Sequence, residues 1–407
     1  MRVLIVGLNY APEPVGIGPY TAGLAEALAG RGHLVEAVVG EPYYPRWRSD
    51  PAYAGGWRRS EENGVAVVRC PHYVPAEPGG FKRVVHLASF ALSALVPALR
   101  SKRPELVIAI APALLSVLTA WLAARLAGAK LWVHLQDFEV EAALATGLIG
   151  KAGAMARLGL WLEAFILKRA DRVSTISPQM VAKLVEKGVA PGRVLEVRNW
   201  SDTRYAPDAT QATLLRAEWG LGAAVVCLYS GNIARKQGIE VLVETARLLA
   251  FRTDIAFVIC GEGPNRANLE ALAAGLPNVA LRDLQPPENM GAMLALADVH
   301  LLPQIAGAAD LVLPSKLTNI LASGRPVIAT AAPGTGLAGE VDGCGLITPP
   351  GDAAALAAAI IALAGDPSRR AELGAAAKAR AAERWEKSAI IERFERAALA
   401  LLAEAQG

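Results

Sequence analysis

Apolar residues along this chain fall into short runs separated by amphipathic stretches, and the first half repeats one rhythm, strand then helix. Runs at Val3–Val6, Val35–Val39, Ala66–Val68, Leu106–Ile110, Leu131–Val133 and Arg172–Ile176 predict strands, and Tyr20–Arg31 and Pro178–Lys187 predict helices. Alternation of this kind implies a parallel sheet with right-handed crossovers. After VRNWSDTRYAPDAT the rhythm starts again, with strands expected at Val225–Tyr229, Ala256–Cys260, Val279–Leu281, Val299–Leu302 and Pro326–Ala329. The expected fold class is therefore α/β, with two Rossmann-like, doubly wound domains in tandem over residues 1–204 and 205–384, joined near Asn199–Thr210. The last segment, Trp385 to Ala403, reads as one amphipathic helix that crosses back to the first domain or simply ends the chain.

Leu106 to Ala124 is nearly uncharged and about as long as a membrane span. Pro112 divides it into a β-branched run, LVIAIA, and a helical run, LLSVLTAWLAARLAG, so a buried strand followed by a helix accounts for both halves.

Length agrees with two domains, since 407 residues exceed what one core usually holds. Hydrophobic residues at 53% and charged ones at 19% exclude disorder and suit buried parallel sheets. A net charge of +3 argues against nucleic-acid binding by charge alone. Cys70, Cys227, Cys260 and Cys344 lie far apart, without a C-x-x-C pair, and predict free buried thiols in a reducing compartment. MRVLIVGLNYAP reads as a first strand rather than a signal peptide, which points to the cytoplasm.

In open α/β sheets, ligands bind beyond the carboxyl ends of the strands. Two such sheets facing each other would form a cleft, with a donor on one wall and an acceptor on the other. In YAPEPVGIGPYTAGLAEAL, Gly16 and Gly18 allow close backbone approach ahead of a helix N-terminus, a spot that suits a diphosphate or is an ordinary glycine-rich turn. It is not G-x-G-x-x-G with a later acidic partner, so no nicotinamide fingerprint is present. In LYSGNIARKQGIEVLVETARLL, Gly231 and Gly238 bracket Arg235 and Lys236, cations suited to a diphosphate leaving group. Such cations would stabilise the charge that grows as the bond to a sugar breaks. VICGEGPNRANL supplies a tight exit at Gly261, Glu262, Gly263 and Pro264. Leu284, Gln285 and Pro286 follow a later strand and could hold a nucleobase through backbone groups. GAADLVLPSKLTNILASGRPVIATAAPG places Asp310, Pro314, Ser315, Lys316 and Asn319 at the entry to a short helix, where Lys316 would add a phosphate contact.

In order and spacing these segments resemble GT-B retaining glycosyltransferases of family 4 (group 1) over nearly the whole chain. GNIARKQG is similar to the family's glycine–arginine loop, CGEGP to its glycine–glutamate–glycine–proline turn, and ASGRPVIAT to its most recognisable string. GNIARKQG, LQPPENM, HLQDFEVE and LPSKLTNILASGRPVIAT look closest to the colanic-acid and exopolysaccharide branch, where a fucosyltransferase role has been proposed. The resemblance implies a nucleotide-diphosphate sugar, GDP- or UDP-linked, as substrate, with a glycan or polyprenyl-linked acceptor and no other cofactor.

The chain departs from the family pattern in ways that redistribute roles. The family usually carries a pair of glutamates, but none occurs between Glu288 and Glu340. Asn319 stands in place of the second glutamate, and Asp310 falls one position from the first, as the candidate for the donor sugar near its anomeric carbon. Asn232 replaces the usual arginine, and Gln237 occupies the lysine position, so diphosphate binding falls to Arg235, Lys236 and Lys316. In the first domain, LWVHLQDFEVEAALATG puts His134 and Asp137 just after a strand, and the resemblance implies that this strand end meets the sugar and the acceptor hydroxyl. His134 is otherwise read as a structural hydrogen-bonder. Glu139 is a secondary candidate, and Glu163 suits packing or a domain contact. No D-x-D triplet occurs and no Cys, His and carboxylate cluster suggests zinc, so no metal is expected.

FKRVVHLASFALSALVPALRSKRP is an apolar helix flanked by Lys82, Arg83, Arg100, Lys102 and Arg103. It suits the inner face of an anionic membrane as well as it suits an internal crossover. Two rival functions share the same build. A sugar-nucleotide epimerase would isomerise the donor alone, and a two-lobed solute-binding protein would carry an export signal and have no need of Arg235 and Lys236.

Overall fold

The computed structural model describes residues 1–14, 16–77, 80–111, 114–138, 154–201, 206–234, 237–305 and 313–404. The chain divides into two compact units, Met1–Asn199 with Ser388–Gly407, and Trp200–Lys387.

The first unit is built on an eight-stranded sheet: β1 (Arg2–Gly7), β2 (Leu34–Gly40), β3 (Arg58–Glu62), β4 (Val65–Cys70), β5 (Leu106–Ala111), β6 (Lys130–Leu135), β7 (Arg172–Thr175) and β8 (Val194–Glu196). Their order is β3-β4-β2-β1-β5-β6-β7-β8, and every pairing is parallel except β3 with β4. The strand β3, RRSEE, had no counterpart in the reading of apolar runs. It is an edge strand of charged residues, four of its five exposed, so it carries neither alternation nor an apolar run. Every residue of β5 is buried, as its unbroken apolar run requires. Helices α1 (Gly18–Gly30), α2 (Gly80–Leu99), α3 (Leu114–Ala127), α4 (Ala154–Arg169) and α5 (Pro178–Glu186) complete the alternation. Leu106–Ala124 is thus β5 and most of α3, two elements of one core.

The second unit carries six parallel strands, β9 (Val225–Ser230), β10 (Ile255–Cys260), β11 (Val279–Arg282), β12 (Val299–Leu302), β13 (Val327–Thr330) and β14 (Gly345–Thr348), in the order β11-β10-β9-β12-β13-β14. Its helices are α6 (Ala209–Glu218), α7 (Glu240–Leu248), α8 (Arg266–Ala273), α9 (Met290–Leu296), α10 (Lys316–Ala322), α11 (Gly336–Val341), α12 (Ala353–Gly365) and α13 (Pro367–Trp385). Buried residues pack on both faces of the sheet, with Phe257 and Ile259 on one side and Val258 and Cys260 on the other. Strand order reverses between β1 and β5 in the first unit and between β9 and β12 in the second. These switch points are where such sheets open a crevice for ligands.

The terminal helix expected from Trp385 to Ala403 begins two residues later, at Lys387. The chain turns extended at Glu386, between α13 and α14 (Lys387–Ala403). The physical reason lies in two anchors. Trp385 is buried in the second unit's core, beside Leu321 and Ala377. Phe394 is buried in the first, its ring 4.5 Å from that of Trp132. Glu395 of α14 also accepts from His33 Nε2 at 2.6 Å and pairs with Arg31 at 3.2 Å. All four cysteines are free and buried.

Candidate active site at the switch point of the second sheet

The β9 exit is held by main-chain bonds to its neighbour's exit. Gly231 N–H donates to Cys260 O at 3.0 Å, Ile233 N–H to Glu262 O at 2.8 Å, and Asn265 N–H to Ile233 O at 3.0 Å. Tyr229 O–H closes the turn on Asn232 O at 2.7 Å. The GEGP turn must be bare to allow this. A Cβ on Gly263, whose φ is +156°, would sit 2.3 Å from Ile233 O and 2.6 Å from the side-chain oxygen of Asn232. Gly263 therefore joins two loops, a structural duty that its reading as a donor contact did not include. Arg266 ties the same edge, bonding Glu262, Glu270 and Asp283.

Into this edge, from far along the chain, comes Lys316, the first residue of α10. Its ammonium donates to Ser230 O at 3.4 Å and lies 3.9 Å from the centroid of the Tyr229 ring. The space it needs is the missing side chain of Gly231, where a Cβ would be 3.2 Å from Nζ. Burial pushes Lys316 down to about 7. Among the described residues no carboxylate pairs with it. A cation enclosed by a carbonyl, an aromatic face and a glycine, with no counter-ion among those residues, is arranged to receive an anion at the β9 end of the switch point.

The other candidates in this unit surround that point to differing degrees. Asn232 is exposed on the turn after β9. Pro314 O accepts from Leu317 N–H and Ser315 O from the Thr318 hydroxyl, so these two residues shape the entry to α10. Asn319, half-buried, lies one turn further on. Leu284 is exposed after β11, and Gln285 donates to Asp283 O at 3.0 Å. Arg235, Lys236 and Asp310 lie outside the described residues, as does Glu139 of the first unit. Among the described residues no group of three His, Cys, Asp or Glu side chains is placed to hold a metal ion.

In the first unit, Gly16 has φ +77° and lies against the ring of Tyr44, while Gly18 opens α1 above Glu13. The reading of His134 as a residue just after a strand is corrected. It lies within β6 and is buried, because β6 runs on to Leu135 in register with β7. Its Nδ1 is 2.8 Å from the Ser174 hydroxyl, which also accepts from Trp132 Nε1. Its Nε2 is 2.9 Å from the Gln136 amide, which is paired in both directions with Asn199. Burial pushes the ring down to about 4, so it is neutral near pH 7. Both ring nitrogens are thus engaged by the protein, a geometry for positioning Gln136 rather than for moving protons. Asp137 follows, half-buried. Glu163 is buried in an ion pair with Lys187. Tyr229, Gln136 and Asn199 were missed in the sequence because each acts through a partner distant along the chain.

Comparison with known proteins identifies the family to which the chain belongs. Residues 15–200 match the glycosyl transferase 4-like domain, and residues 224–366 match the glycosyl transferases of group 1. The glycosyl transferase WcaI of Escherichia coli, assigned to colanic acid biosynthesis, is 42% identical over 341 residues, which cover 81% of this chain and 83% of that protein. The chain is a family 4 glycosyltransferase. Its fold is GT-B: sucrose-phosphate synthase from Thermosynechococcus elongatus superposes with a TM-score of 0.77 at 21% identity, covering 99% of this chain and all of the other. HepE of Anabaena, solved in complex with UDP-glucose, gives 0.72 at 16% identity over 98% of this chain. In this glycosyltransferase the group 1 match contains Gly231 and Lys316, so the enclosed cation lies within a glycosyltransferase domain.

Proposed function

We propose that this glycosyltransferase moves a sugar, with retention of configuration, from a GDP- or UDP-linked donor to a glycan or lipid-linked acceptor in exopolysaccharide synthesis. The observation that carries the reading is Lys316, enclosed at the β9 exit with no counter-ion among the described residues. A diphosphate oxygen there would meet the protonated ammonium, held in place before the reaction starts. As the bond from the anomeric carbon to the diphosphate oxygen breaks, electrons pass to that oxygen, and Lys316, with Arg235 and Lys236, would stabilise the charge. The attacking hydroxyl forms the new bond on the same face and gives its proton to the departing diphosphate. Similarity to WcaI supports the exopolysaccharide setting, and the UDP-glucose complex of HepE supports a nucleotide-sugar donor.

The acceptor side adds a second element. On α2 the side chains of Phe81, Leu92, Val96 and Leu99 are exposed, with Lys82, Arg100, Lys102 and Arg103 exposed around them. The opposite face of α2 is buried through His86, Phe90, Ala94 and Ala98. Among the described helices α2 is long and apolar enough to cross a membrane, yet one face is committed to the core, which favours lying on an anionic surface. The test of the transferase reading is incubation with GDP- and UDP-sugars and a membrane extract. Release of nucleotide diphosphate together with sugar incorporation supports it. Isomerised donor without transfer would favour the epimerase instead.

A further inference from the structure

The loop that follows β2, EPYYPRWRSD, is held in a fixed shape by a buried acid. Glu13 is 4% exposed, and its Oε1 accepts from Tyr43 N–H at 3.1 Å and Tyr44 N–H at 3.0 Å, while Oε2 accepts from Asn9 at 2.9 Å. Further along, Arg48 N–H returns to Tyr43 O and Asp50 N–H to Pro42 O. At the tip, Trp47 has φ +50°, a left-handed backbone that a bulky residue rarely adopts. Such strain persists only where the surroundings over-determine it, and it gathers at functional sites. Here the surroundings are visible. The Trp47 ring stands 5.2 Å from Tyr43 and 5.4 Å from His86, with the Arg83 guanidinium 5.9 Å from its centroid.

This fixed loop presents an unusual surface. Trp47 and Tyr44 remain half-buried, Tyr44 against Gly16, and Arg46 and Arg48 flank Trp47, both exposed. Neither guanidinium has a hydrogen-bond or ion-pair partner among the described residues. Flat rings bind the apolar face of a sugar, and a guanidinium fork takes a carboxylate or phosphate with two parallel bonds. The loop lies at the carboxyl edge of the first sheet, next to the glycine turn after β1, where α/β sheets bind ligands.

We propose that Tyr44, Arg46, Trp47 and Arg48 form a subsite for an anionic saccharide, with the sugar ring on the aromatic faces and its carboxylate or phosphate on the two arginines. The inference rests on the transferase reading and names its acceptor class. Glu13 is a positioning residue, fixing the loop without touching the ligand.

The test is saturation-transfer NMR on the full chain with four probes: D-glucuronate, α-D-glucose 1-phosphate, D-glucose and inorganic phosphate. Transfer to at least one anionic sugar is expected, several-fold above that to D-glucose, and glucuronate or the phosphate ester responding alone identifies which anion is read. In Arg46→Ala/Arg48→Ala, whose side chains are exposed and leave folding intact, and in Trp47→Ala, the signal is expected to fall at least five-fold. Equal transfer to D-glucose, binding of phosphate without either sugar, no transfer to either anionic sugar, or unchanged signals in both variants would each overturn the subsite. UDP and GDP binding, measured on the same samples, separates the two readings: with nucleotide binding intact and no anionic-sugar signal, only the subsite falls.

Discussion

The ammonium of Lys316 lies 3.9 Å from the centre of the Tyr229 ring, although the two residues belong to different segments of the second unit. Tyr229 sits in β9 beside the glycine turn, and Lys316 reaches it from the start of α10. The aromatic face and the Ser230 carbonyl hold the cation in place without neutralising it. Replacing Lys316 with Ala is expected to weaken UDP or GDP binding by about ten- to a hundred-fold, the value of a charge-assisted hydrogen bond of about 1.5–3 kcal/mol. Thermal denaturation of the unliganded variant should show little loss of stability, because a half-buried amine with no carboxylate partner among the described residues is removed.

The titration of Lys316 gives that binding a pH dependence. With the group pushed down to about 7, the protonated form that binds a diphosphate fades as pH rises through that value. Affinity should therefore fall from pH 6 to pH 8 by several-fold, and Lys316→Ala should flatten the profile over that range. Folding responds in the opposite sense. Between about 7 and the ordinary value of 10.5 the unfolded chain holds a proton here that the native chain lacks, so this group makes stability rise with pH across that window.

His134 leads to a different expectation. A ring held neutral and bonded at both nitrogens contributes no ionisation between about pH 5 and 8. His134→Asn should lower the rate and the melting temperature, since Gln136 loses its support, while the pH–rate curve keeps its shape. Loss of one limb of that curve in the variant would restore a proton-transfer role.

The two-part C-terminus makes a stability prediction. Phe394→Ala removes a fully buried ring from the contact between α14 and Trp132. It should cost about 3–5 kcal/mol in chemical denaturation, at the upper end of core truncations. Arg396→Ala on the exposed face of the same helix should change little.

Membrane attachment is tested on charges that do not pack. Lys102→Ala/Arg103→Ala should weaken sedimentation with phosphatidylserine vesicles by about 2 kcal/mol, on the order of thirty-fold, and leave the weak binding to neutral vesicles unaltered.

Much of this architecture was legible because buried parallel strands are written as unbroken apolar runs. β5 is the plain case, and β9, β10 and β12 follow it. The edge strand β3 left no such mark, since its side chains face water and only its backbone is paired. The sequence places the start of the terminal helix two residues early, at Trp385, because an apolar residue there continues the amphipathic pattern although its ring is buried in the second unit. At the site, glycines and cations could be read from local strings, and Lys316 stands where those strings implied. What the strings could not give was the company each residue keeps. The partners of His134 come from β7 and from Asn199, and the ring beneath Lys316 comes from β9. Such pairings are set by strand order, which one-dimensional patterns leave open.

On the proposed function, the second unit holds a nucleotide diphosphate at the end of β9 through Lys316. The decisive experiment is isothermal titration of UDP and of GDP into the wild-type chain and into Lys316→Ala at pH 6.5. One of the two nucleotides should bind in a single site, and at least ten-fold more weakly in the variant. Equal affinity in both proteins, or no binding of either nucleotide to the wild type, would contradict it.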